Sequence, residues 1–246
     1  MTAAALAADL LARLLALENP ANVAGMARYG IDPDRALGIT VTTLRGIARE
    51  LRADRRARPG LVHEVALDLW ASGIHEARIL AVLLDVPALV TAAQAESWVA
   101  DVDSWDLCDQ LQHLIAATPF AHETARTWAR REETYVRRAG FVLMATLAVH
   151  DKAAPDAALV AFLPLVEEAA TDERPMVRKG VNWALRQIGK RSPTCHLAAI
   201  ATAERVLAAH PGSSAARWIA RDALRELRSP AVLARVAERP GAQSGS

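Results

Sequence analysis

The chain has 246 residues, 52% of them apolar, and a formal net charge of +1. That length admits one large domain or two ordinary ones, and the apolar share is ample for a continuous core. No apolar run is long enough to span a membrane, and the Ala- and Leu-rich start carries Asp9 and Arg13 without a basic leader, so neither a membrane segment nor a signal peptide is expected; a cytoplasmic location follows.

Helical periodicity with helix punctuation runs from end to end, and no segment alternates β-branched and polar residues, so the chain is read as all-α. In chain order, Asn19-Pro20 opens a short helix, Gly30 is a stop, Thr43 precedes a helix over Leu44 to Arg52, and Gly73 ends one over Leu61 to Ser72. Further starts fall at Thr91, Ser104, Pro119, Pro155, Pro175, Pro193 and Ser214. About a dozen helices fit, and the connections are short enough to make successive helices antiparallel neighbours.

Two of these helices carry outward indoles. From Ser104 to Thr118 the buried stripe is Leu107, Leu111, Leu114 and Ile115, which leaves Trp105, Asp109 and Gln112 on roughly the opposite side. In the helix after Pro175 the stripe is Val177, Val181, Ala184, Leu185 and Ile188, and Trp183 points away from it among Lys179, Arg186 and Lys190. An indole held among cations suits a polyanion, because Lys and Arg neutralise phosphates while the ring packs on a sugar or base. Trp70, Trp98 and Trp128 sit beside apolar neighbours and read as core.

The small net charge hides segregation. Glu96 to Asp109 contains Glu96, Asp101, Asp103, Asp106 and Asp109 and no Lys or Arg, whereas Arg174 to Arg191 contains six cations and no carboxylate. Cys108 and Cys195 lack histidines at metal spacing, so they read as buried thiols and no metal is expected.

An internal repeat appears when Val136 to Gly140 is laid on Val177 to Val181, and that on Ala216 to Ala220, at offsets of about 40 residues typical of HEAT-type helical pairs. Each unit puts basic residues near the start of its second helix. The expected architecture is a right-handed α-solenoid of HEAT-like repeats over residues 1–239, one domain with a concave basic track, followed by a flexible tail at 240–246.

Three segments, Ser104-Trp105-Asp106-Leu107-Cys108-Asp109, Tyr135-Val136-Arg137-Arg138-Ala139 and Val177 to Arg186, make the chain resemble the DNA alkylation repair family over roughly Asn22 to Leu227. Members of that family are HEAT-like-repeat alkylpurine DNA glycosylases. The resemblance implies that Trp105, Asp109, Trp183 and Arg138 line a DNA cleft, with Arg137 an alternative to Arg138 because the adjacent arginines leave the register open. It implies a cofactor-independent, monofunctional enzyme, acting as a monomer on duplex DNA that contains alkylated bases. The reaction would be hydrolysis of the N-glycosidic bond of N3- or N7-alkylated purines. Positive charge then moves onto the deoxyribose as the bond stretches, and Asp109 would stabilise it. Trp105 and Trp183 would pack on the lesion nucleotide. Arg137 or Arg138, with Arg178, Lys179, Arg186, Lys190, Arg191, Arg217 and Arg221, would hold phosphates.

Plainer roles stand beside these. Trp218 reads equally as packing against a neighbouring repeat, Asp106 as a partner for its helix dipole, and Arg137 or Arg138 as surface partners of Glu132 or Glu133. His75-Glu76 begins a helix and lacks the second histidine of a metalloprotease motif, and Tyr29 is given no role. The competing function is a HEAT scaffold that binds DNA structures or a protein partner without catalysis.

Overall fold

A computed structural model describes residues 2–238, so the tail expected at 240–246 lies outside the described residues. Sixteen α-helices and one short 3₁₀ turn, and no strand, are found among them. None of these helices is long and apolar enough to cross a membrane. The chain divides into two compact units, 1–118 and 119–246.

The first unit holds α1 (Ala3–Ala16), α2 (Pro20–Ala27), α3 (Val41–Glu50), α4 (Arg52–Ala57), α5 (Pro59–Ala71), α6 (His75–Leu84), α7 (Ala92–Ala100) and α8 (Trp105–Ile115). Its starts follow from local chemistry. Asn19, Thr40 and Thr91 each accept the backbone N–H three residues on, and Pro20 sits in the first turn of α2, where its missing N–H costs nothing. The start expected at Thr43 lies at Thr40 instead: the Thr40 hydroxyl accepts Thr43 N–H at 3.2 Å, so Thr43 is already helical.

Helices α3, α6 and α8 pack in series, and α5 joins α6 to α1. Trp70 and Trp98 are buried and stack with their ring centroids 4.1 Å apart. The Glu76 carboxylate, fully buried on α6, accepts the backbone N–H groups of Leu37 (2.7 Å), Gly38 (2.7 Å) and Ile39 (3.2 Å). Gly38, at φ +75°, lets the chain turn there, and a side chain would meet the Asn22 and Val23 side chains at 3.1 Å.

The second unit holds α9 (Ala121–Ala129), α10 (Thr134–His150), α11 (Asp156–Val160), α12 (Leu163–Glu168), α13 (Pro175–Gly189), α14 (Pro193–Ala209), α15 (Ser214–Leu227) and α16 (Pro230–Ala237). The start expected at Pro119 lies at Ala121. The three segments related by the 40-residue period fall on α10, α13 and α15, which pack one on the next. The predicted stripe Val177, Val181, Ala184, Leu185 and Ile188 is wholly buried, as is Trp128. Gly140 lets α10 press closely on the end of α9, since an added Cβ would lie 2.7 Å from Ala129 Cα and 2.8 Å from the Trp128 carbonyl carbon.

Candidate nucleic-acid interface

In the first unit, Trp105 and Asp109 lie one turn apart at the start of α8. The indole is 36% exposed and the carboxylate half-buried. Gln112, expected on this outward side, is instead fully buried, and its Nε2 donates to the Cys108 carbonyl at 3.0 Å. A helix face is outward only as far as neighbouring helices leave it uncovered, and α6 and α7 both pack on α8.

The carboxylates around this helix are engaged in structure. Asp101 accepts the Trp70 indole N–H at 2.9 Å and faces Arg78 at 3.5 Å, and Asp103 lies 3.9 Å from Arg35. Asp106 pairs with the buried His75 ring, Nε2 to Oδ2, at 2.9 Å. Burial disfavours charge on His75, yet the Asp106 hydrogen bond and the nearby charges of Asp106, Glu76 and Asp103 outweigh it and raise the imidazole above its usual range. Burial likewise opposes the Asp106 charge, and His75, Ser104 and the Leu107 N–H outweigh it and hold the carboxyl below its usual range. This pair anchors the base of α8 to α6. It fixes the end of the helix from which Trp105 projects.

In the second unit, Trp183 is half-buried on α13. With the Gln187 amide turned so that its oxygen faces the surrounding donors, it accepts from Trp183 Nε1 at 3.0 Å and from Lys190 Nζ at 3.2 Å. Arg186 and Lys190 converge on Glu226 of α15, at 2.6 and 2.7 Å, and Asp222 lies 3.9 Å from Arg186. Burial pushes the Glu226 carboxyl up, but the Lys190 hydrogen bond and the two positive charges outweigh it and hold it below the usual carboxylate range.

The other basic positions divide by what they touch. Arg138, for which the family resemblance implies a phosphate contact, is buried, and its Nη1 donates to the Met176 carbonyl at 2.9 Å, tying α10 to the start of α13. Arg137 lies 3.5 Å from Asp172, not on Glu132 or Glu133, and Arg174 also holds Asp172, at 2.6 Å. Arg191 donates to the carbonyls of Lys152 (3.1 Å) and Ala154 (3.3 Å), tying α13 to the loop after α10. These are structural contacts. Outward cations remain elsewhere: Arg178 lies over the Trp218 ring, 5.1 Å from its centroid, and Arg217 Nη1 donates to the Pro211 carbonyl at 2.7 Å. Lys179 and Arg221 are exposed and pair with no carboxylate among the described residues.

Trp218 is 39% exposed rather than packed away, and with Ser214, Arg217, Arg221, Asp222 and Arg225 it lines a surface groove of about 420 Å³ along α15. The sequence left this indole undecided. The signal that distinguishes it is the 40-residue register, which places Arg217-Trp218 on α15 beside Arg178-Lys179 on α13.

Among the described residues no group of three His, Cys, Asp or Glu side chains could hold a metal ion. Both cysteines are buried, and burial raises the Cys195 thiol to about 11, far from a reactive thiolate.

A solved structure described as "a new family of proteins related to the HEAT-like repeat DNA glycosylases with affinity for branched DNA structures" is similar to this chain at a TM-score of 0.69. Identity is 17%, over 80% of this chain and 81% of that one, a likeness that establishes the fold as an α-solenoid of HEAT-like repeats. No curated protein shows significant similarity to the chain. The family model for the DNA alkylation repair enzyme matches residues 10–227, a span that takes in α8, α10, α13 and nearly all of α15. On that match, the chain belongs to the DNA alkylation repair enzyme family.

Proposed function

We propose that this protein is a monofunctional, cofactor-independent DNA glycosylase that removes cationic N3- or N7-alkylated purines from duplex DNA. The observation that carries the reading is the pairing, one turn apart on α8, of an outward indole with a half-exposed carboxylate, in a chain of this family. The lesion base already bears a positive charge, so it leaves without prior protonation. As the C1′–N bond breaks, its electron pair neutralises the purine and the positive charge moves to the sugar. Asp109 stabilises that charge, water adds to C1′, and its proton passes to the carboxylate or to solvent. The indole face of Trp105, one turn from Asp109, favours the cationic sugar. Lys179, Arg178, Arg217 and Arg221 hold backbone phosphates, with Arg186 and Lys190 held back by Glu226.

The test is release of 7-methylguanine from methylated duplex by the natural protein and by Asp109→Asn. A carboxylate about 4 Å from the developing charge, at an effective dielectric near 20, contributes about 4 kcal/mol, so the variant loses about a thousandfold in rate while binding undamaged duplex as before. Absence of base release by the natural protein refutes the enzymatic reading. The second reading, a non-catalytic DNA binder, is favoured by the affinity for branched DNA stated for the similar solved structure. It requires tighter binding of a four-way junction than of duplex, no base release, and no effect of Asp109→Asn.

A further inference from the structure

From Val41 to Arg58 the chain carries six arginines and two carboxylates. Both carboxylates are occupied: Glu50 takes a two-pronged contact from Arg13 of α1, at 2.6 and 2.9 Å, and Asp54 takes Arg58. Arg55 donates to the Asp85 carbonyl. The Asp85 carboxylate is itself filled by His63 (2.7 Å), Gln94 (2.7 Å) and the Val86 N–H (2.7 Å). Arg45, Arg49 and Arg52 are exposed and face no carboxylate partner among the described residues. Arg49 Nε donates to the Arg45 backbone carbonyl one turn back at 3.2 Å.

These three arginines, with Arg55, Ala48 and Leu83, line a groove of about 590 Å³ along α3 and α4. Uncompensated like charges along one face repel one another and are stabilised only by an anionic occupant or counterions. The guanidinium fork matches the two free oxygens of a phosphodiester. Arg45 and Arg49 lie one turn apart on α3 and Arg52 opens α4, a spacing longer than one phosphate and suited to two or three in a row. Apart from the arginines the walls offer the Thr42 hydroxyl and the aliphatic carbon of Ala48 and Leu83, with no carboxylate to accept from a base edge, which favours a backbone as the occupant.

We propose that the Arg45–Arg49–Arg52 groove binds the sugar-phosphate backbone of DNA without reading its sequence, giving the first unit a grip of its own. The inference rests on the DNA-binding reading above. The experiment compares the full chain with its Arg45→Gln/Arg49→Gln/Arg52→Gln form, by fluorescence anisotropy on a labelled undamaged duplex from 50 to 300 mM KCl. Loss of three phosphate contacts flattens the slope of log affinity against log salt by about 2.7, with the thermal melt unchanged, and the corresponding triple lysine variant restores most of the slope. Binding by the natural protein with the same slope in the glutamine variant overturns the groove and leaves the DNA reading intact. Displacement of labelled duplex from the glutamine variant by a mononucleotide as readily as from the natural protein agrees with the proposal. If the mononucleotide instead binds the natural protein alone while the DNA slope is unchanged, the groove is a small-phosphate site and the proposal fails. Failure of the natural protein to bind duplex or junction DNA refutes the parent reading.

Discussion

Glu226 holds two cations of the α13 helix beside Trp183, and removing its charge should make them available to DNA. In Glu226→Gln, Lys190 loses the carboxylate 2.7 Å away and keeps the Gln187 amide, while Arg186 loses its 2.6 Å partner and keeps Asp222 at 3.9 Å. One or two further phosphates are then contacted, and each steepens the salt dependence by about 0.9. Between 200 and 50 mM salt, the ratio of variant to natural affinity therefore grows by about 3.5-fold for one contact and about 12-fold for two. The two ion pairs are mostly buried, Lys190 13% and Glu226 28% exposed, so their loss should cost folding stability about 1–3 kcal/mol. The assay is anisotropy on unmodified duplex over that salt range. Glu167→Gln is the control: it removes one carboxylate, the partner of Arg205, and so changes net charge equally. Parallel salt plots for the Glu226 variant and the natural protein, or equal steepening in both variants, would refute the local argument.

Two predictions concern the frame of the first unit. Glu76→Gln keeps the shape of a buried carboxylate but turns one acceptor into a donor against the Leu37, Gly38 or Ile39 N–H. It should cost about 2–4 kcal/mol in urea unfolding, as charge-assisted bonds are lost and a buried donor is left unmade; a loss under about 1 kcal/mol would contradict the geometry. The His75–Asp106 pair predicts a pH signature. His75 is raised in the fold, so its contribution is complete below about pH 6.5 and fades as pH rises through the higher folded value, while the lowered Asp106 contributes above about pH 3.8 and fades only on acidification. Melting curves from pH 6 to 9 should show the natural protein losing stability relative to Asp106→Asn, and a constant difference between them would exclude the pair as its source.

What the sequence discloses about the site depends on whether a side chain's fate is set within its own helix. The outward positions of Trp105 and Trp183, and the burial of Trp70, Trp98 and Trp128, follow from 100° per residue and from the apolar neighbours on each face. The 40-residue register likewise carries through to the stacking of α10, α13 and α15. Gln112 shows the boundary of that arithmetic, because its exposure is decided by helices that arrive from elsewhere in the chain. The arginines show it more sharply. Arg138 finds a carbonyl 38 residues away, and Arg137 pairs with Asp172 rather than with the glutamates beside it. A long guanidinium side chain reaches the next repeat, and no local pattern records which carboxylate or carbonyl waits there.

That reach also makes a net charge of +1 compatible with the proposed polyanion surface. Acidic residues at Asp101, Asp103, Asp106 and Asp172 are held by Trp70 and Arg78, by Arg35, by His75, and by Arg137 and Arg174. They serve the frame, and their charge is cancelled within a few ångströms. Part of the cationic complement is engaged in the same way, Arg138 and Arg191 by backbone carbonyls. On the proposed DNA-binding reading, the cations left for a phosphate chain are Lys179 and Arg221 in one unit and Arg45, Arg49 and Arg52 in the other. Because counterion release depends on the charges a strand actually contacts and not on the sum over the molecule, exchanging an exposed arginine of either group should alter DNA binding. Exchanging Arg191, whose cation is tied to carbonyls, should act on folding instead.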